Sequence, residues 1–267
     1  MTVSNVVRWP LVLALELAAV SSGLAPASAQ SCEPVSAYQQ VVGMIAGGGS
    51  VPLVIHIMES PGHPCEVRQR WTSEQVTIVF GPRTDQRGVN SVWAPTGVRF
   101  SVREVLLHEF SPPDGLLDSV PSGPLGTAKF EAAFKGLVAK FHRAGSVNVY
   151  LWKQILGFPM GFGRSPISGK GKATVWLENV CVDSALLPPE GCARAAAHEL
   201  GHALGLYHVG EGCVDVQPES RPLCKKLAAP CGEWQDSERL MKAESLEGRK
   251  LCDVEVTQAK QMATRLK

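Results

Sequence analysis

Residues 192–208 read Cys-Ala-Arg-Ala-Ala-Ala-His-Glu-Leu-Gly-His-Ala-Leu-Gly-Leu-Tyr-His, and the spacing of their histidines decides how the rest of the chain is read. Ala195, Ala196 and Ala197 favour a helix. On a helix of 3.6 residues per turn His198 and His202 project from nearly the same side, so that two imidazole nitrogens can reach one zinc ion at about 2.0–2.1 Å. Gly205 can adopt the positive φ that stops a helix, which turns the chain and brings His208 back to the same ion. Three neutral imidazoles leave the zinc its double charge and a position open to water, whose pKa falls from about 15.7 toward 7. Glu199, next to the first ligand, is placed to take the water's proton and hand it to a leaving amine. These residue types at these spacings point to hydrolysis of a peptide bond, with zinc as cofactor and a protein or peptide as substrate. The short His-Glu-x-x-His pattern arises on ordinary surface helices; the longer pattern fixes five positions and is far more specific.

The surrounding composition is that of a globular protein: 45% hydrophobic and 19% charged, with 26 basic against 25 acidic residues for a formal net charge of +1. That balance offers no excess of charge for a phosphate backbone, and no basic patch stands out, so no nucleic-acid partner is expected. Residues 11–20 are apolar, with Arg8 before them and small residues after, and Ala27-Ser28-Ala29 forms an A-x-A site. This reads as a secretory signal over residues 1–29, cleaved to leave Gln30 first, and predicts a secreted chain, extracellular or periplasmic. Glu16 interrupts the apolar run and no later segment could span a bilayer, so no stable membrane insertion is expected. All eight cysteines lie beyond the cut. An even number in an exported chain suggests disulfides, and the lack of any C-x-x-C pair speaks against zinc thiolate sites. Cys181 and Cys192 are expected to bracket a short loop and the four from Cys213 to Cys252 to staple the C-terminal part.

Working outward from the motif, residues 51–58 form a short β-branched apolar run, as in a strand covered on both faces. Residues 72–75 look like a helix start while residues 76–80 have strand propensity, so that element stays open between the two. Residues 97–103 alternate as a half-buried strand. Residues 111–126 are rich in Pro, Gly, Asp and Ser and read as an exposed excursion. Residues 128–143 place Phe130, Phe134, Leu137, Val138 and Phe141 at helical spacings. Strands follow at 147–152 and, after a glycine-rich loop over 157–171, at 173–177. The alternation of strands and helices indicates an α/β or α+β domain. The expected organisation is a signal at 1–29, an N-terminal segment at 30–50, a catalytic subdomain with the zinc helix at 51–208, and a C-terminal subdomain at 209–267. His56, His63, His108 and His142 read as packed or solvated residues outside the reactive site.

His198, Glu199, His202, Gly205 and His208 together resemble the defining pattern of the metzincin zinc metallopeptidases. Residues 206–213 and Cys252, Val256, Thr257, Gln258 and Met262 are similar to the pappalysin-like branch, and the resemblance covers roughly residues 51–263. It implies a twisted mixed sheet with an antiparallel edge strand, packed helices including the zinc helix, and a small disulfide-stapled C-terminal subdomain. It also implies a methionine turn beneath the zinc at Leu240-Met241-Lys242, with Met241 as its methionine. Ala243 stands where some metzincins place a tyrosine ligand, so none is expected. The edge strand is expected near residues 173–177, where Thr174, Val175, Trp176 and Leu177 would bind an extended peptide by main-chain hydrogen bonds. Residues 214–217 lack much of the acidic pattern that family members use for calcium, which counts against a calcium site. Two other readings stand beside the peptidase: a secreted zinc-containing binding or toxin-like protein with little turnover, and a hydrolase of non-peptide amides or peptidoglycan stem peptides. The intact Glu199 argues against the first, because a mere binder has no need of that carboxylate.

Overall fold

Residues 51–59 form an interior strand of the sheet because most of their side chains are apolar. Six of the nine are hydrophobic, and Val51, Leu53, Ile55 and Ile57 are fully buried. Burying each such side chain stabilises the fold by about 1.5–3 kcal/mol. In the computed structural model the described residues are 34–43, 50–59, 71–81, 88–109, 128–152, 161–164, 172–178, 189–208, 218–229, 239–241 and 250–266. All of them belong to one compact unit, Ser31–Lys267. The signal-like segment 1–29, the excursion 111–126 and the 214–217 segment lie outside the described residues.

The elements run α1 (Val35–Tyr38), β1 (Val51–Glu59), α2 (Ser73–Phe80), α3 (Val89–Trp93), β2 (Phe100–Glu109), α4 (Ala128–Phe141), β3 (Val147–Trp152), β4 (Gly161–Arg164), β5 (Thr174–Glu178), α5 (Pro189–Ala203), α6 (Arg221–Leu227) and α7 (Asp253–Arg265). The strands form one sheet in the order β2-β1-β3-β5-β4. The first four are parallel, and β4 closes the sheet antiparallel to β5. Among the described residues no helix is long and apolar enough to cross a membrane.

Two local features resolve what the sequence leaves open. Thr72 accepts from the Gln75 amide while the Gln75 side chain accepts from the Thr72 amide. This reciprocal capping box outweighs the β-branched run that follows it, and residues 73–80 are a helix. On β2 the pairing with β1 shifts between Leu53 and Val54, leaving the exposed Arg103 without a partner in the register. The bulge resets the alternation, so Phe100, Val102, Val105 and Leu107 all join the main core although their spacing is not a strict period of two.

The expected edge strand needs correction. Thr174–Glu178 is not at the edge: it pairs in parallel with β3 on one side and antiparallel with Gly161–Arg164 on the other. Thr174, Val175, Trp176 and Leu177 are themselves buried, so both main-chain edges and the side chains are committed to the fold. The edge belongs to β4, inside the stretch read as a glycine-rich loop. Gly161 and Gly163 lower strand propensity there, and its pairing with β5 supplies what propensity does not.

The second face of the sheet carries an unusual polar row. His56, fully buried on β1, donates from Nε2 to Asn148 Oδ1 at 2.9 Å, and its Nδ1 lies 2.9 Å from Nε2 of His108 on β2. Asn148 also accepts from the Arg143 amide at 2.7 Å and donates to the carbonyls of Arg143 and Ser146. It thereby fastens the turn after α4, where Gly145 takes φ 69°. His56 stacks on Tyr150, Tyr150 on Trp176, and His108 on Phe141 of α4. The histidines are therefore packed into the fold, as the sequence suggests for His56, His108 and His142; His63 is outside the described residues.

Burial pushes His56 down to about 4, with the charges of His108, Arg143 and His142 in the same direction and the Asn148 bond against it. Burial, then Arg143 and Lys140, bring His108 to about 4, and burial with Lys172 does the same for His142. All three are depressed below the unfolded value of about 6.5. Their contribution is fully present above pH 6.5 and is lost as pH falls toward 4, by up to about 1.4 kcal/mol per pH unit for each histidine that is neutral only in the fold. Denaturant titrations across pH 7 to 4 should show this decline, and His142→Gln should make the slope shallower. A slope that His142→Gln leaves unchanged would remove His142 from the account.

Candidate metal centre

The site is built on α5. Pro189 opens the helix, where its missing N–H costs nothing. Ala193, Ala195, Ala196, Ala197 and Ala203 are small and buried, so α5 packs closely against the sheet. Trp93 donates from its indole N–H to the Ala197 carbonyl at 3.1 Å, one residue before His198. The helix stops as expected: Gly205 takes φ 84°, its amide bonds to His202 O, and the Leu206 amide reaches back to Gly201 O at 3.0 Å. This is a Schellman ending, with glycine at the left-handed position. It turns residues 206–208 back along the helix, and Tyr207 packs on Cys224 and Ala228 beside α6.

The result is a triangle of ring nitrogens. Nε2 of His198 lies 3.1 Å from Nε2 of His202, and Nε2 of His208 lies 3.0 Å from each. The opposite nitrogens fix the tautomers. His198 Nδ1 is 2.6 Å from the Leu240 carbonyl and His202 Nδ1 is 2.9 Å from the Leu206 carbonyl. A carbonyl can only accept, so both Nδ1 atoms carry the proton and donate. Neutral His198 and His202 then have bare lone pairs at Nε2, facing each other with no hydrogen between them. Burial holds His202 well below the ordinary histidine range, and any proton on His198 or His208 pushes the same way, so the ring is neutral at pH 7.

Facing lone pairs repel unless a cation stands between them. These three residues are the described group able to hold a metal ion, and three nitrogens at about 2.0–2.1 Å from one tetrahedral ion stand roughly 3.3–3.4 Å apart, close to the 3.0–3.1 Å spacing found here. The donor set therefore fits a metal. Glu199 follows His198 on the same helix and is buried, at 9% exposure.

Beneath the triangle lies the 239–241 segment. Met241 is fully buried, and a Cβ placed on Gly201 would come within 2.5 Å of its sulfur. Gly201, between Glu199 and His202 in sequence, is thus the small residue that admits the thioether against the helix. Thr174, Val175, Trp176 and Leu177 are not brought to the triangle's ligand set. The sequence reading does not reach Trp93, Gly201 or Arg239, and it names Leu206 and Leu240 only within the zinc-helix exit and the Met-turn, without the part their carbonyls play. Leu206 and Leu240 act through carbonyls, which leave no side-chain signature; a glycine inside an otherwise alanine-rich helix was the signal available for Gly201. Cys192, Cys224 and Cys252 are disulfide-bonded; the pairings suggested by the sequence involve cysteines outside the described residues.

No family model matches the chain. It is similar to proteins named "Extracellular metalloprotease" from Arthroderma benhamiae and from Trichophyton verrucosum, each 29% identical over 116 residues. The match covers 38% of this chain, and the chain spans only 39% of the length of either relative. Among solved structures, a zinc-dependent peptidase from Methanocorpusculum labreanum overlaps 78% of this chain and 99% of its own, at 10% identity and a TM-score of 0.38. A chain from a chaperone-substrate complex overlaps 81% of this chain and 39% of its own, at 16% identity and a TM-score of 0.36.

The contact between Gly201 and Met241 is open to a double-mutant cycle. Gly201→Ala should lower the stability of the metal-free protein by about 1–3 kcal/mol, since the buried sulfur has nowhere to go. Gly201→Ala with Met241→Ala should cost less than the sum of the two single changes. Strict additivity of the denaturant midpoints would contradict the contact.

Proposed function

We propose that this protein is a secreted zinc-dependent endopeptidase of the metzincin type, similar to the pappalysin-like branch. The observation that carries the reading is the convergence of three Nε2 atoms, two of them deprotonated by the carbonyl bonds on the far side of their rings. Neutral imidazoles in a three-nitrogen set suit zinc. The partial likeness to extracellular metalloproteases supports the same class. His198, His202 and His208 would hold the ion. When bound, zinc polarises the carbonyl under attack and makes a water nucleophilic near neutral pH.

The remaining steps belong to the chain. Glu199 accepts the proton of the attacking water and delivers it to the departing amine. The Leu240 and Leu206 carbonyls keep two ligand rings in the tautomer that presents a lone pair, and raise the basicity of those rings. Met241 serves as the methionine of the Met-turn, a packed floor under the ligand helix. An extended peptide adds to the antiparallel edge strand β4, which packs beside α5, by main-chain hydrogen bonds. The chain organisation proposed with this function is a signal at 1–29 cleaved on export, an N-terminal segment at 30–50, a catalytic part at 51–208 and a disulfide-stapled C-terminal part at 209–267. The site calls for one zinc.

The mature protein, purified from an oxidising compartment, should contain one equivalent of zinc and cleave a denatured protein, and a chelator should abolish that cleavage. Glu199→Gln should keep the zinc and lose at least about 10²-fold in kcat/KM. A zinc-replete wild type that cleaves neither denatured proteins nor a broad peptide library would overturn the peptidase in favour of a binding protein.

A further inference from the structure

Arg239 is a fully buried cation, and its guanidinium ties together three parts of the chain. It donates to Glu255 Oε1 at 2.9 Å, to the Ala229 carbonyl at 2.9 Å and to the Leu227 carbonyl at 3.3 Å. The side chains of Arg239 and Glu255 are both 0% exposed. The last two acceptors lie at and just beyond the C-terminal end of α6, where exposed carbonyls favour a cation. Glu255 is in the first turn of α7, and its other oxygen accepts from the Cys252 amide at 2.8 Å, closing the cap of that helix. A buried ion pair is a poor way to gain stability, because desolvating two charges offsets most of their attraction. Its value lies in fixing one arrangement of the groups attached to it.

One peptide unit beyond Arg239 stands the carbonyl that orients His198. Leu240 donates its amide to the Lys250 carbonyl at 2.9 Å, and Arg239 and Lys250 form a short parallel bridge. The Leu240 oxygen is thus held from both neighbours in the chain: by the Arg239 side chain before it, and by the Met241 sulfur against Gly201 after it. We infer that the Arg239–Glu255 pair is a positioning device for the metal ligand His198, locking the Leu240 carbonyl so that Nδ1 keeps its proton and Nε2 faces the other two imidazoles. This rests on the metal-binding reading above. Arg239 and Glu255 are positioning residues and touch neither the metal nor the substrate.

The test uses the mature disulfide-bonded protein in three forms: wild type, Glu255→Gln, and the double variant Arg239→Met/Glu255→Leu. The double variant removes both charges at similar volume, so neither is left buried alone. Zinc affinity is measured by competition with a chelating dye, the cobalt(II)-loaded proteins are compared by visible absorption, and circular dichroism with thermal melting of the metal-free forms reports folding. The expected result is a folded double variant whose zinc affinity is about 10- to 100-fold weaker and whose cobalt spectrum is altered, as loss of a group supporting a ligand produces. Glu255→Gln should fall between it and wild type. A folded double variant with wild-type affinity and spectrum overturns the positioning role; if that variant does not fold, the same two readouts on Glu255→Gln decide it. A wild type that takes up no zinc overturns the metal-binding reading itself, whereas a wild type that binds zinc alongside unaffected variants overturns this inference alone.

Discussion

Two protonated Nδ1 atoms, each donating to a main-chain carbonyl, force two bare nitrogen lone pairs to face each other 3.1 Å apart. Without a cation this is a repulsive arrangement in a partly buried place, and a fold does not gather such groups for stability. The surrounding architecture makes sense as the means of holding them. Helix α5 supplies the four-residue spacing, the Gly205 turn returns His208, and the 239–241 segment brings the carbonyl that sets the tautomer of His198.

The supports come from parts of the chain far apart in sequence. Trp93 bonds to α5 from the N-terminal half, and Tyr207 leans on α6. Met241 fills the space that Gly201 leaves. The sheet contributes rigidity: its first four strands are parallel and their core-facing side chains are almost wholly buried. Its second face is closed by a hydrogen-bonded polar row centred on His56 and Asn148. Its histidines are structural groups held neutral by burial.

Much of the site was legible because its signal is local. His198, His202, Gly205 and His208 lie within eleven residues, and helix geometry alone predicts their convergence. Strands β1 and β3 were equally plain, since continuous apolar runs leave little choice. The elements that were ambiguous or misplaced depend on distant partners. Residues 76–80 have strand propensity and are helical because Thr72 and Gln75 cap them. Gly161–Arg164 lacks strand propensity and is a strand because β5 pairs with it. The sequence therefore places the edge one strand too far inward. The Leu240 carbonyl, the Leu206 carbonyl and the Arg239–Glu255 pair have no sequence signature at all, because carbonyls are common to every residue and the pair joins positions whose proximity only the fold creates.

The central claim is that the three imidazoles share one metal ion. A crystal of the mature protein grown without added metal, with diffraction recorded on both sides of the zinc absorption edge, tests it most directly. The account predicts one anomalous peak that vanishes below the edge, about 2.0–2.1 Å from Nε2 of His198, His202 and His208. Absence of a peak there in fully folded, zinc-supplied crystals, or a peak held by other residues while the three rings turn apart, would contradict it.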